Sequence, residues 1–194
     1  MSAKLKYRAL RDSSLTPEPS GQAQPARRAE PGLHYVIQAH AVNRLQYDLR
    51  LELDGVLVSW SVLKGPLLSP TARRFAVRTA DHPVDDASVE NVVPAGQDGG
   101  GTVVIWDQGR WQPEGDARSA LVNGKLTFTL HGDKLTGRWQ LIKMRSDGKA
   151  EPWLLCRDAA ANDNLDLVTE RPASVLSGRP LDKGLYDSQR LGIL

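Results

Sequence analysis

The stretch Gln46-Tyr47-Asp48-Leu49-Arg50-Leu51-Glu52-Leu53-Asp54-Gly55-Val56-Leu57-Val58-Ser59-Trp60-Ser61-Val62 decides the fold. From Gln46 to Leu53 apolar and polar residues alternate, the two-residue period of a β-strand. Asp54-Gly55 then supplies a pair suited to a two-residue hairpin turn. Val56 to Val62 starts the return strand at once.

Working outward, His34 to His40 alternates in the same way. Short runs of strand character recur at Arg74 to Thr79, Gly101 to Trp106, Leu126 to Leu130, Gly137 to Lys143 and Trp153 to Cys156. Gln108-Gly109 sits where another two-residue turn would sit, and Ser146-Asp147-Gly148-Lys149 marks a longer one. About eight strands joined mostly by short turns predict an all-β protein, a closed antiparallel β-barrel, because closure removes exposed sheet edges.

The barrel is expected to span 32–158. Before it, residues 1–31 are rich in Pro, Ser and Arg and read as an extended arm. Its Lys4, Lys6, Arg8, Arg11, Arg27 and Arg28 outnumber Asp12, Glu18 and Glu30. Such an arm is either a solvated tail or a phosphate contact. After the barrel, residues 159–194 return to Ala, Asn, Asp, Pro and Gly and read as a polar, linker-like tail.

The 194 residues suit one well-buried core, and 40% hydrophobic with 25% charged residues is an ordinary globular balance. No apolar run is long enough for a membrane span, and no secretory signal is visible in Met1 to Arg11. Cys156 is the single cysteine, which excludes an internal disulfide and a cysteine-built zinc site and makes a reducing cytoplasm the expected compartment. A net charge of +2 permits nucleic-acid binding without arguing for it.

On the Gln46–Leu53 strand, Gln46, Asp48, Arg50 and Glu52 share one face. That face is either solvated or the lining of a groove in which Asp48 binds a metal and Arg50 forks onto a phosphate. His40 ends the preceding strand, and the short connection brings it beside Gln46 and Asp48. Imidazole with carboxylate suits manganese or zinc. The candidate site therefore lies at one end of the barrel. His34 is on the face of His40 but roughly 20 Å away along the strand. His131 falls in an apparent turn, whereas His82, in Asp81-His82-Pro83, follows a strand and remains a site candidate. Gly99-Gly100-Gly101-Thr102 opens a strand, not a helix, so it is not a nucleotide-binding glycine loop. The five tryptophans, Trp60, Trp106, Trp111, Trp139 and Trp153, are expected in the core rather than stacked on bases.

Several strings together resemble the 3′-phosphoesterase domain of the bacterial DNA ligase D repair enzymes. They are His40 to Leu53, Asp54-Gly55-Val56-Leu57, Ser59 to Pro66, Asp81-His82-Pro83, Gly99 to Thr102 into Trp106-Asp107, Phe128 to Gly132, Gly137-Arg138-Trp139 and Trp153-Leu154-Leu155. Arg11-Asp12 and Thr16 to Gly21 are similar to the family's arm, and Ser174 to Arg179 to the linker that follows the domain. The resemblance implies a manganese-dependent enzyme, with zinc as the alternative ion, acting on DNA 3′ ends of the primer–template kind. It removes a 3′-terminal ribonucleotide and then the 3′-phosphate, in company with an end-joining ligase, polymerase or Ku-type protein. By position it implies metal ligands at His40, Gln46 and Asp48 and phosphate handling at Arg50 and His82. Lys64, Arg74, Arg11, Asp12 and Glu18 are implied in support.

The departures bear on turnover. The family has a histidine where this chain has Gln46, whose amide oxygen is a weaker ligand than imidazole for a transition metal. A tyrosine is common where Asp86 stands, and Pro94-Ala95-Gly96-Gln97-Asp98-Gly99 replaces a stretch with two carboxylates and another tyrosine. Asp86 or Asp98 either replaces a ligand or repels phosphate. Two functions follow: a 3′-end-healing phosphoesterase, or an inactive relative that binds DNA ends or docks a partner.

Overall fold

The computed structural model describes residues 32–41, 45–93, 101–158 and 165–181. Its strands are β1 (Leu33–Ala41), β2 (Leu45–Leu53), β3 (Val56–Leu63), β4 (Arg74–Arg78), β5 (His82–Pro83), β6 (Asn91–Val93), β7 (Gly101–Pro113), β8 (Lys125–Gly132), β9 (Thr136–Lys143) and β10 (Pro152–Arg157). A 3-10 turn (Val84–Ser88) and the short helices α1 (Ala117–Val122) and α2 (Leu167–Glu170) complete the elements.

Eight strands close on themselves in the order β1–β2–β3–β4–β10–β9–β8–β7, with β7 pairing back onto β1. All these pairings are antiparallel. The β2–β3 hairpin turns on Asp54 (φ 56°) and Gly55 (φ 78°), the paired left-handed conformations that this dipeptide accommodates. The alternation puts Tyr35, Ile37, Tyr47, Leu49 and Leu51 inside, and all five tryptophans are buried. Trp60 packs edge-on against Trp153 at 5.8 Å and Tyr47 against Trp106 at 5.3 Å. Burying one such aromatic contributes roughly 4–6 kcal/mol of gross transfer free energy.

Gln108-Gly109 is not a turn. Both residues lie within the 13-residue β7. Glycine is needed there for close approach: a Cβ on Gly109 would stand 2.2 Å from the backbone oxygen of His131. A bulge also interrupts the β1–β7 ladder, where Ile37 pairs with Asp107 but Gln38 with Ile105. The extra residue, Trp106, is fully buried. Asp107, also buried, accepts from Tyr35 Oη (2.6 Å), Lys134 N (2.8 Å) and Leu135 N (3.0 Å), and so holds the β8–β9 connection.

The arm at 1–31 lies outside the described residues. Part of the tail does not, and it lies against the barrel. Leu167 and Leu181 join the core cluster. Lys134 Nζ donates to the carbonyls of Arg171 (2.6 Å) and Ala173 (2.7 Å) while sitting 4.4 Å from the Trp106 ring centroid. Burial lowers the Lys134 pKa to about 8. The few apolar anchors here are spaced too widely to show as a period in the sequence.

Candidate metal and phosphate site

The alternation that fills the core also decides what faces out. With Ile37 and Ala39 inside, Gln38 and His40 project from the outer wall; with Tyr47, Leu49 and Leu51 inside, Gln46, Asp48, Arg50 and Glu52 do. His40 pairs with Gln46 and Gln38 with Asp48, while Asp48 faces Ser61 and Arg50 faces Ser59 on β3. Residues directly opposed in an antiparallel ladder share a face. The site expected at a barrel end is therefore a row on the outer wall, beginning where β1 meets β2.

An outward polar row is ordinarily wet, yet Asp48 is only 9% and Arg50 only 5% exposed. The segment 82–93 crosses this wall. His82, which follows β4, belongs to β5 and pairs with Leu57 of β3. From there the 3-10 turn crosses to β1, where Gln38 Nε2 donates to the carbonyls of Asp86 and Val89, both at 3.0 Å. β6 then pairs with β7, and Glu90 accepts from Ile105 N at 2.8 Å.

Beneath this cover, Asp48 Oδ2 lies 3.3 Å from His40 Nε2 and 3.3 Å from Arg50 Nη2. Burial lowers the His40 pKa; Asp48 opposes the shift, and Arg50 and His82 add to it. The ring is thus held toward its neutral form, in which a nitrogen lone pair is free to bind a cation. His40 Nε2 is within ion-pair distance of Asp48 but not aligned for a hydrogen bond. It and Asp48 Oδ1 are buried atoms without a hydrogen-bond partner among the described residues. Such atoms are costly to leave unsatisfied. A divalent cation takes just this pair of donors, a neutral imidazole nitrogen and a carboxylate oxygen, and Gln46 is the residue opposite His40 in the ladder. Among the described residues, no group of three or more His, Cys, Asp and Glu side chains is gathered for a metal. The pair fits a cation, and its third neighbour is the weaker amide.

The other candidates separate. His82 Nδ1 stands 3.2 Å from Asp86 Oδ2 on the cover. Lys64 is exposed in the turn after β3, with φ 63°. Arg74 opens β4 on the inward side shared with Ala76, opposite to the face carrying Asp48. His34 is exposed, and His131 is exposed on β8 rather than in a turn. Arg11, Asp12, Glu18, Asp98, Gly99 and Gly100 lie outside the described residues. Sequence reasoning missed Gln38 and Glu90. The one available signal was that Gln38 shares the strand face of His40.

A family model described as the DNA Ligase D 3′-phosphoesterase domain matches residues 38–143. The multifunctional non-homologous end joining protein LigD of Pseudomonas aeruginosa is 46% identical over 180 residues, 91% of this chain and 21% of that protein. The multifunctional non-homologous end joining DNA repair protein LigD of Mycobacterium tuberculosis is 36% identical over 184 residues, 95% of this chain and 23% of that one. LigD of Mycolicibacterium smegmatis is 40% identical over 157 residues. The chain spans about a fifth of the length of these curated relatives.

Proposed function

Because the chain belongs to the DNA ligase D 3′-phosphoesterase domain family, we propose that it heals DNA 3′ ends in bacterial double-strand break repair by non-homologous end joining. It removes a 3′-terminal ribonucleotide and then the 3′-phosphate, in the cytoplasm and in company with an end-joining ligase, polymerase or Ku-type protein. The observation that carries this reading is the His40–Asp48–Arg50 cluster, in which buried His40 Nε2 and Asp48 Oδ1 make no hydrogen bond among the described residues.

His40 and Asp48, with the Gln46 amide oxygen, would hold a divalent ion, most simply manganese, given one nitrogen and two oxygen donors, with zinc as the alternative. When bound, such an ion polarises the phosphoryl group and lowers the pKa of water. Arg50 offers a planar set of donors to the phosphate oxygens, stabilising charge as water adds to phosphorus. His82 gives a proton to the leaving oxygen as the P–O bond breaks. Lys64, exposed at the β1–β2 end of the row, contributes positive charge for the DNA backbone. Arg11, Asp12 and Glu18 of the arm and Arg74 are assigned support of the phosphate on resemblance alone.

Gln46 favours a second reading, in which turnover is lost and the protein binds DNA ends or docks a partner. A 5′-labelled primer–template ending in a 3′-phosphate or one ribonucleotide separates the two. Manganese-dependent shortening and dephosphorylation, lost with chelator, supports the enzyme. Salt-dependent DNA binding without metal or turnover, weakened by Arg50→Ala and Lys64→Ala, supports the binding module and overturns the enzyme.

A further inference from the structure

We infer that Asp86 is a positioning residue for His82, holding the imidazole by Nδ1 so that Nε2 is the nitrogen that meets the DNA end. The inference rests on the phosphoesterase reading of the site. Asp86 Oδ2 is 3.2 Å from His82 Nδ1, and both side chains are partly buried. An ionised carboxylate only accepts hydrogen bonds, so the proton between them belongs to Nδ1. In the neutral ring Nε2 then carries the lone pair, and in the cation it is the donor.

The pair is not a chance meeting of surface side chains, because each member is anchored to a different barrel strand. His82 is fixed by its ladder pairing with Leu57 of β3. Asp86 is fixed through its own carbonyl, which accepts from Gln38 Nε2 at 3.0 Å. Gln38 is itself only 3% exposed. It lies two positions before His40 on the same face of β1. The chain of contacts Gln38–Asp86–His82 therefore ties the orientation of the imidazole to the wall that carries His40 and Asp48. His82 is also near enough to His40 for its charge to act there. A carboxylate that fixes tautomer and ring orientation in this way leaves Nε2 as the nitrogen through which His82 gives its proton to the leaving oxygen.

The test joins spectroscopy to kinetics on the full chain. Long-range ¹⁵N–¹H correlation spectra, with the His82 signals identified by their loss in His82→Gln, report which nitrogen of the neutral ring is protonated. Protonation at Nδ1 that shifts in Asp86→Ala is expected; an Nε2-protonated ring overturns the inference whether or not the protein turns over. In phosphate release from a 3′-phosphate primer–template with manganese, Asp86→Ala should lower kcat by roughly 10–100-fold with KM nearly unchanged. Asp86→Asn should keep part of the rate, because its amide oxygen still accepts from Nδ1. A change in KM alone, or an unchanged kcat in Asp86→Ala, overturns the positioning role. No turnover by the natural protein rejects the phosphoesterase reading instead, and with it the proton exchange at Nε2.

Discussion

His40 Nε2 and Asp48 Oδ2 lie 3.3 Å apart across the β1–β2 ladder. They are diagonal neighbours: His40 stands opposite Gln46, and Asp48 opposite Gln38. Adjacent strands place such diagonals within reach of long side chains. The pair is partly shielded from bulk water, with 21% of the His40 side chain and 12% of the Asp48 side chain exposed, and charge interactions gain strength as the local dielectric falls.

The ligand assignment predicts that His40→Ala and Asp48→Ala each lower metal-dependent turnover by at least about 100-fold. Affinity for the DNA end should change by less than about threefold. Single-turnover rates beside equilibrium binding to the same primer–template check this. Equal losses in both quantities would instead make the pair part of the DNA-binding surface.

Arg50 engages a phosphate through a planar fork, which an ammonium does not reproduce. Arg50→Lys should therefore retain most DNA binding yet lose about 10²–10³-fold in kcat, the range for removing a donor to developing charge. Full activity in Arg50→Lys, measured by phosphate release, would place the guanidinium outside the transition state.

Glu90 joins the cover to the last described segment. It accepts from Ile105 N and from Ser174 Oγ. Partial burial would raise its pKa, but the hydrogen bonds of Ser174, Ser177 and Ile105, with the charge of Arg179, prevail and lower it. A carboxyl depressed by folding stabilises above its unfolded pKa, and that contribution is lost as pH falls through the lower folded value. Residues 165–181 should accordingly loosen in acid. Hydrogen exchange at Val175, whose N–H donates to the Ile105 carbonyl at 2.9 Å, should accelerate as the pH falls below about 4.5 relative to the intrinsic rate. In Glu90→Gln this extra acceleration should disappear.

Lys134→Met removes a donor to the Ala173 carbonyl and one of the two donors to the Arg171 carbonyl, which keeps Trp106 Nε1 at 3.0 Å. Bonds from a charged donor contribute about 1.5–3 kcal/mol, so a loss of about 2 kcal/mol in unfolding free energy is expected from urea denaturation. A loss below about 0.5 kcal/mol would show that Leu167, Leu181 and the hydrogen bonds of Glu90 and Ile105 hold the segment without the ammonium.

The barrel was legible because its determinants are local. Alternation in Gln46–Leu53 and the Asp54-Gly55 turn need no knowledge of distant residues, and the tryptophans found the interior as large apolar surfaces do. Gly109 misled because a glycine required for close strand approach looks like a glycine required for a turn. The two-residue β5 and three-residue β6 are too short to leave a period. Without them the outward row of β2 reads equally as a solvated face, so neither the burial of Asp48 nor the role of Gln38 was visible. Arg74 needed the register: its inward side follows from Ala76, not from its charge.

Gln46 is the residue on which turnover of DNA 3′ ends by the proposed outer-wall row of His40 and Asp48 depends most. The most direct measurement is phosphate and ribonucleoside release with a manganese titration, comparing the natural protein with Gln46→His. Metal-dependent release by the natural protein is expected, and in Gln46→His an apparent metal affinity at least about tenfold higher, about 1.4 kcal/mol. Release that is absent from both proteins, or that persists undiminished in chelator, would contradict the phosphoesterase reading.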